Sequence, residues 1–158
     1  MSASRSVERF REAAAALGLQ PEVREFPEGT RTARDAATAI GCQEGQIVKS
    51  LVFVAGTEPI LALTSGPNRA DTDRLSELAG GVPVRRADAD EARQATGFAI
   101  GGTPPFGHPR QLRVLCDRDL LAYEEVWAAA GTPRTVFPIA PKDLLRASGA
   151  QTVDLKEG

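Results

Sequence analysis

One apolar segment constrains how this chain can fold. Residues 47–54, with the sequence IVKSLVFV, are almost all apolar, and such a run predicts a strand inside a protein core. The main exception is Lys49, near the middle of the run. Taking an ammonium group out of water costs roughly several kcal/mol unless a partner or a ligand offsets that cost. Lys49 is therefore the first candidate for a functional residue.

The strand leaves two interpretations of Lys49 open. Side chains alternate along a strand, which puts Lys49 on the same face as Ile47, Leu51 and Phe53. In the functional interpretation its ammonium group points into a pocket and can bind a phosphate or a developing oxyanion. In the structural interpretation the strand lies at a sheet edge, and the lysine reaches solvent and blocks aggregation.

A glycine-rich loop follows about fifty residues later. Residues 97–108 read GFAIGGTPPFGH. Gly101 and Gly102 would let backbone N–H groups approach a ligand without an intervening Cβ, and Pro104 and Pro105 would stiffen the loop. The Gly-x-x-x-Pro spacing, Gly101 to Pro105, would suit an oxyanion hole or a ribose-phosphate cradle. The alternative is a tight surface turn.

The other residues that could be reactive give weaker signals. His108 is the only histidine, and its place beside a proline is more typical of a surface or capping residue than of a catalyst. Cys42 and Cys116 have no CxxC partner and no nearby histidines, so we expect core residues in a reduced protein, with no metal and no cofactor.

Length and charge narrow the class of protein. A chain of 158 residues suits one domain, covering residues 1–158. No apolar stretch reaches the ~18 residues of a membrane span, and no leader is visible, so we expect a soluble, cytoplasmic protein without a membrane partner. The net charge of −2 argues against a general nucleic-acid coat, and DNA is not an expected partner.

A local basic patch remains compatible with that charge. Six arginines bracket the two key segments in sequence and are candidates for a basic rim around one pocket. They are Arg31, Arg34, Arg69, Arg74, Arg110 and Arg113. The alternative is an ordinary solvated surface, balanced by the 21 acidic residues.

Periodicity and turn signals predict short helices and strands that interleave irregularly, which favours an α+β fold with a mixed sheet. The predicted helices are 7–17, 32–40, 71–79, 88–96 and 143–147. The predicted strands are 23–26, 47–54, 60–63, 82–84 at an edge, 112–116, 125–130, 135–139 and 152–153. Strands 47–54 and 60–63 are expected to form a hairpin, as are 125–130 and 135–139, and a turn is expected at 27–29.

Four segments in this order resemble the YbaK/ProX family of aminoacyl-tRNA deacylases, whose domain also occurs as the editing insertion of bacterial prolyl-tRNA synthetases. The segments are 35–41 (DAATAIG), 46–53 (QIVKSLVF), 96–107 (TGFAIGGTPPFG) and 139–144 (IAPKDL). The resemblance covers nearly the whole chain, from about Phe10 to Leu155.

The resemblance implies a compact, barrel-like mixed sheet flanked by helices, and hydrolysis of the ester that joins a wrong amino acid to a tRNA 3′ end. It implies that Lys49 is the functional lysine and that residues 101–105 form the catalytic loop, with Gly101 and Gly102 at its start. The substrate contacts that it implies are Phe26, Thr32, Ser50, Thr103, Pro104, Pro105, Phe106, Gly107 and His108.

The chemistry of such an ester agrees with these residues. The ester is already activated, so attack by water or by the neighbouring ribose hydroxyl needs no strong nucleophile. Backbone N–H groups at Gly101 and Gly102 would stabilise the oxyanion, each by roughly a few kcal/mol. Lys49 would grip the phosphate or ribose of the terminal adenosine and align the ester.

These arguments lead to one hypothesis and two alternatives. The hypothesis is a trans-editing deacylase acting on tRNA for proline that carries alanine, cysteine, serine or threonine, with Arg69 and Arg110 contacting the tRNA. A synthetase or an elongation factor is a further candidate partner. The alternatives are a non-catalytic module that binds the tRNA end or a nucleotide, and a protein that docks on a synthetase.

Overall fold

The structure, a computed structural model, describes residues 3–26 and 32–158. The helices in these ranges are α1 (Ala3–Ala16), α2 (Ala33–Ile40), α3 (Thr72–Leu78), α4 (Ala89–Thr96) and α5 (Pro141–Ser148). The strands are β1 (Arg24–Glu25), β2 (Val48–Ala55), β3 (Glu58–Ser65), β4 (Val84–Arg86), β5 (Arg113–Asp117), β6 (Val126–Ala129), β7 (Thr135–Ile139) and β8 (Gln151–Val153). Short 3-10 helices cover Glu44–Gln46 and Arg118–Ala122. The turn expected at 27–29 and Arg31 lie outside the described residues.

The strands form two sheets that share one core. A five-stranded sheet has the order β4-β2-β3-β5-β8, in which β3, β5 and β8 are parallel and the other pairs antiparallel. A three-stranded antiparallel sheet has the order β1-β7-β6. A bridge between Ile47 and Trp127 joins β2 to β6, so that the sheets wrap around the same interior. The predicted single α+β domain with a mixed, barrel-like sheet flanked by helices is confirmed.

Local sequence signals explain where most elements begin and end. Thr32 caps α2 by accepting a hydrogen bond from the N–H of Asp35, and Gly41 ends the helix at a φ of 88°. Asp88 caps α4 in a capping box with Glu91. Both predicted hairpins, β2–β3 and β6–β7, are present. The predicted edge strand is found at an edge but starts at Val84, after the proline that was expected to lie within it.

The two faces of β2 have different environments. Val48, Val52 and Val54 pack into the main core between the sheets. Leu51 and Phe53, on the face that carries Lys49, pack instead against the cluster under α3. A separate cluster contains Ile47, Trp127 and one face of α2.

Three phenylalanines tie distant parts of the chain together in the main core. The ring centroid of Phe10 on α1 lies 5.4 Å from that of Phe106 and 4.5 Å from that of Phe137 on β7. Phe106 is 3 % exposed, so it anchors the end of the glycine-rich loop in the core. Among the described helices, none is long and apolar enough to cross a membrane.

Candidate active site

A cleft of about 660 Å³ opens beside β2, where the five-stranded sheet has a gap. On the side away from β3, β2 reaches β4 only from Val52 onward and meets β6 only at the Ile47 bridge. Within the described residues, the segment between these points has no strand partner on that side. Residues of α2, α4, the glycine-rich loop, β6 and β7 complete the walls, which are largely apolar.

Lys49 lies in this gap and is half-buried. Its Nζ donates a hydrogen bond of 2.5 Å to the backbone oxygen of Asn68, and no salt bridge to Lys49 forms in the described part of the chain. The ammonium charge is therefore not neutralised by a neighbouring carboxylate. β2 lies between β4 and β3 in the sheet, but the stretch that carries Lys49 pairs only with β3, so both interpretations of Lys49 still apply to it.

Burial is the main influence on the acidity of Lys49. It lowers the pKa of the Lys49 ammonium below its ordinary value because the charged form loses hydration. Glu44 and Asp117 act to raise that pKa, whereas the positive charges of Arg86 and Arg69 act to lower it. The ammonium is thus partly desolvated, and carboxylates and guanidinium groups act on it in opposite directions.

Ser50 supplies a second polar group to the cleft. Its hydroxyl oxygen is buried and has no hydrogen-bond partner among the described residues. A buried hydroxyl without a partner costs about 1–3 kcal/mol, so a group that enters the cleft can gain a hydrogen bond there. Lys49 and Ser50 thus both line the cleft, from opposite faces of β2.

The glycine-rich loop faces the cleft through Gly101 and Thr103. Gly101 has a φ of 85°, which favours glycine. Pro104 and Pro105 have no N–H groups, and among the described residues the N–H groups of Gly101 and Thr103 donate no hydrogen bond. These two are therefore the available backbone donors of the segment 101–105.

Gly102 lies where the glycine-rich loop packs closely on the turn between β6 and β7. Its N–H donates to the oxygen of Ala99 at 3.0 Å and is already occupied. A Cβ at Gly102 would lie 2.7 Å from the Cα of Thr132, so the missing side chain allows the loop to pack on the turn between β6 and β7. In the structure its N–H is occupied and its missing side chain allows close packing, and its assignment as an oxyanion donor stays a prediction.

Several residues predicted to contact substrate do not line the cleft. Pro104, Pro105 and Phe106 are buried, and Phe106 packs with the aromatic core. Gly107 is exposed and packs near Ala13, since a Cβ there would approach that residue to 2.8 Å. These residues fix the loop to the protein. None of the four lines the cleft in the structure, and their assignment as substrate contacts stays a prediction.

The other residues predicted to contact substrate or tRNA include some that line the cleft and some that do not. Thr32 lines the cleft, although its hydroxyl already accepts the capping hydrogen bond of α2. Phe26 does not line the cleft, and its N–H donates to the oxygen of Arg134 at 2.8 Å. Arg69 and Arg110 are exposed and lie outside the cleft lining, and Arg69 pairs with Glu157 at 4.0 Å.

Two of the cleft-lining residues that sequence reasoning did not single out are Arg86 and Trp127. Arg86 ends the short edge strand β4 and reaches the cleft, with its guanidinium 5.7 Å from the ring centroid of Phe53. Trp127 on β6 forms part of the opposite wall, and Arg24 lies over its ring at 4.8 Å. No local pattern marks either residue, because only the pairing of distant strands brings them to β2.

His108 is held away from the cleft by a hydrogen bond between its Nε2 and the oxygen of Pro104 at 2.9 Å. Since a carbonyl only accepts, Nε2 carries the proton, and Nδ1 is the nitrogen that titrates. Burial lowers the pKa of His108, and the bond to Pro104 acts weakly in the opposite direction. The interpretation of this histidine as a structural residue agrees with this position.

A pH-dependent loss of stability follows from that lowered pKa. The unfolded chain takes up a proton on this histidine more readily than the folded chain, so stability is lost as the pH falls through its ordinary value of 6.5. From about pH 7.5 to about pH 5.5, we expect the melting temperature to fall further in wild type than in His108→Gln. Glutamine retains a donor for Pro104, and the chain has no other histidine. Parallel pH curves for the two proteins would contradict this expectation.

In the described ranges, no group of three or more His, Cys, Asp or Glu side chains has the geometry of a metal site. Cys116 is buried in the main core, and burial raises its pKa to about 12. Cys42 is partly buried, and burial raises its pKa as well. Neither thiol has the thiolate character of a nucleophile.

Comparison with known proteins identifies the family. A sequence model of the aminoacyl-tRNA editing domain matches residues 27–147. The chain is 32 % identical, over 78 % of each protein, to the "Uncharacterized protein YwhH" of Bacillus subtilis. It is 25 % identical to the "Putative Cys-tRNA(Pro)/Cys-tRNA(Cys) deacylase EbsC" of Enterococcus faecalis, over 82 % of this chain and 80 % of that protein.

A solved structure gives the same result. It is described as "a putative trans-editing enzyme for prolyl tRNA synthetase", and it superposes with a TM-score of 0.92 at 51 % identity over 97 % of this chain and 98 % of that one. The chain belongs to the aminoacyl-tRNA editing domain family, and its assignment as an aminoacyl-tRNA deacylase of the YbaK/ProX type is confirmed.

Proposed function

We propose that this protein is a trans-editing deacylase whose substrate is tRNA for proline carrying a small wrong amino acid. The names of the similar proteins support the proline tRNA. The observation that carries the proposal is the pairing, in one cleft, of a half-buried and unneutralised Lys49 with the free N–H groups of Gly101 and Thr103.

The residues of the cleft suit ester hydrolysis without a protein nucleophile. Water attacks the ester carbonyl, and N–H groups of Gly101 and Thr103 stabilise the negative charge that develops on the carbonyl oxygen. The bond to the ribose oxygen then breaks, that oxygen takes up the proton that the water gives up, and the amino acid leaves as its carboxylic acid. Lys49 binds the phosphate or ribose of the same nucleotide and keeps the ester in register with those donors. Ser50 offers a hydrogen bond to a polar group of the bound aminoacyl-adenosine.

Cleft size and lining support a small amino acid. A volume of about 660 Å³ lies within the range of pockets that hold small-molecule ligands. The walls around Trp127 and Ala128 are apolar, so a small side chain fits beside the adenosine without an unsatisfied polar contact. Alanine, cysteine, serine and threonine are all candidates, because one or two atoms in such a pocket change selectivity by only about 10- to 200-fold.

A deacylation panel tests the proposal. tRNA for proline is charged separately with alanine, cysteine, serine, threonine and proline, and the loss of each ester is followed with and without the protein. We expect rapid loss for at least one of the four small amino acids and little loss of proline. Tight binding of every charged tRNA without hydrolysis would favour the non-catalytic binding module instead. The same small amino acids are also attached to a second tRNA, and hydrolysis confined to that tRNA would refute the choice of proline tRNA.

The contact with tRNA is expected to be small. The net charge is −2, and the exposed cations near the cleft are few, with Arg34 and Arg86 at its lining and Arg69 and Arg110 proposed beyond it. If two to four phosphates are contacted, counterion release predicts a log–log slope of binding against salt of about −2 to −4. A titration in increasing salt measures that slope. A slope steeper than about −6 would require a basic face broader than these four arginines and would contradict a small contact.

A contact with so few phosphates gives only a modest affinity for tRNA. Such binding does not by itself distinguish the proline tRNA from other tRNAs. We propose that a synthetase or an elongation factor presents the mischarged tRNA to the cleft. Addition of such a protein to the deacylation assay would then raise the selectivity for the proline tRNA, whereas the rate constant for the bound ester would remain the same.

A further inference from the structure

The turn after β3 supplies the protein acceptor of the Lys49 ammonium. Lys49 Nζ donates to the backbone oxygen of Asn68, and the N–H of Asn68 donates to the oxygen of Ser65 at 2.9 Å to close the turn. Because this acceptor belongs to the main chain, the position of the ammonium group depends on the position of the turn itself.

The turn is fixed by a buried carboxylate on a different strand. Asp117, at the end of β5, is 0 % exposed. Its Oδ2 accepts from the backbone N–H of Ser65 at 3.0 Å and from Nδ2 of Asn68 at 2.8 Å, while its Oδ1 accepts from the N–H of Asp119 at 3.0 Å. A buried charge is retained only where hydrogen bonds compensate its lost hydration, and here most of those bonds hold the turn.

Two further contacts restrain the same turn. Nδ2 of Asn68 also donates to Oδ2 of Asp119 at 2.9 Å, and that carboxylate pairs with Lys156 at 2.8 Å. On the other side, the hydroxyl of Ser65 donates to the oxygen of Gly45 at 2.6 Å. The side chain of Asn68 is thus the link between an acidic pair in the fold and the carbonyl that holds the ammonium group.

We propose that Asn68, held by Asp117, is a positioning residue that places the Lys49 ammonium for deacylation. The proposal rests on the proposed function, since it assigns Lys49 a role in aligning the ester. Neither Asn68 nor Asp117 lines the cleft, so they act on the substrate only through Lys49. Loss of the Asn68 side chain releases the turn, and the carbonyl no longer holds the ammonium group in one place.

A double-mutant cycle tests this coupling. In the wild-type background, Asn68→Ala should lower kcat by about tenfold or more with little change in KM, because misplacement affects alignment more than tRNA binding. In a Lys49→Ala background, the same substitution should change the rate by less than about twofold. Equal losses in both backgrounds would overturn the proposal, since a general structural defect would lower both rates alike.

Leu144→Val is a matched control for stability. Leu144 is fully buried on α5 and lies outside the cleft, so its truncation lowers stability without touching Lys49. All rates are measured at a temperature at which melting curves show each variant folded. An Asn68→Ala rate no lower than that of Leu144→Val would overturn the proposal. Should the alanine variant fail to fold, Asn68→Ser, which retains a donor at a shorter reach, takes its place in the cycle.

An NMR titration separates this proposal from the proposed function. The chain has only three lysines, so lysine labelled at Cε gives few signals to assign. The charged groups that influence Lys49 are Glu44, Arg86, Arg69 and Asp117, and all of them remain in Asn68→Ala. Burial is the main cause of the lowered pKa of Lys49, so Lys49 should titrate at a higher pH in Asn68→Ala than in wild type. Leu144→Val should leave the titration midpoint of Lys49 unchanged. An unchanged midpoint in Asn68→Ala would overturn the positioning role even if the protein hydrolysed no ester.

If wild type leaves every charged tRNA intact while the midpoint moves as expected, the proposed function fails but the placement of Lys49 by Asn68 is upheld. If wild type is active and the cycle shows no coupling, the positioning role alone fails.

Discussion

Replacement of Lys49 by alanine is expected to slow deacylation by about ten- to a hundredfold and to leave the fold intact. Lys49 is half-buried and lines the cleft, and among the described residues its ammonium group is bound only by the oxygen of Asn68. Its removal deletes the cation that aligns the substrate but also ends the cost of burying it, so the melting temperature should change little. Single-turnover rates and melting curves on the same samples measure both effects.

Two further variants make that result specific. Lys49→Arg keeps the charge but changes the shape and reach of the cation, so it should recover only part of the activity. Lys142→Ala removes an exposed lysine from the first turn of α5, outside the cleft, and should retain full activity. Activity of Lys49→Ala within a few-fold of wild type would restore the interpretation of a lysine that only reaches solvent.

Gly102→Ala is expected to be strongly destabilising. The new Cβ would lie 2.7 Å from Cα and 2.8 Å from the carbonyl carbon of Thr132, and backbone atoms cannot yield as a flexible side chain does. Overpacking of this kind costs about 1–3 kcal/mol, or roughly 2–12 °C in melting temperature for a chain of this size. Thermal melts measure the loss.

Gly101→Ala is the matched comparison for the loop. Its Cβ would meet Pro133 at 3.7 Å, an ordinary contact, so only the φ of 85° opposes the substitution, at a cost of about 1–2 kcal/mol. Because Gly101 lines the cleft and offers a free N–H, this variant should lose more activity than its loss of stability explains. Unchanged melting of Gly102→Ala would show that the loop relaxes easily and that its packing on Thr132 is unimportant.

The sequence alone predicted the parts of this protein that local chemistry decides. The apolar run around Lys49 predicted β2 and its hairpin partner, and the caps at Thr32 and Asp88 predicted the starts of two helices. Such signals depend on neighbours in the chain, where alternation, turn residues and capping groups act directly.

The rest of the site depends on contacts between distant segments. The family resemblance implied that Phe106 contacts substrate, but Phe10 and Phe137 draw it into the core. The same packing keeps His108 out of the cleft and leaves Ile100, Gly101 and Thr103 as the loop residues that line it. No local sequence pattern predicts where β6 and β7 pack against the rest of the fold.

The contacts of Asn68 also join segments that are distant in the chain. The sequence predicted a loop around this residue but could not show that it accepts the Lys49 ammonium or binds Asp117, 49 positions further along the chain. The parallel pairing of β3 with β5 brings these residues together, and parallel pairing requires a long crossover that leaves little local signal.

The most direct test of this account is the single-turnover rate at which tRNA for proline loses a wrongly attached small amino acid in the presence of excess protein. The account predicts an acceleration of at least about a hundredfold over the loss in buffer alone, from an oxyanion held by N–H groups of Gly101 and Thr103 and an ester aligned by Lys49. Loss at the buffer rate for alanine, cysteine, serine and threonine alike would contradict it.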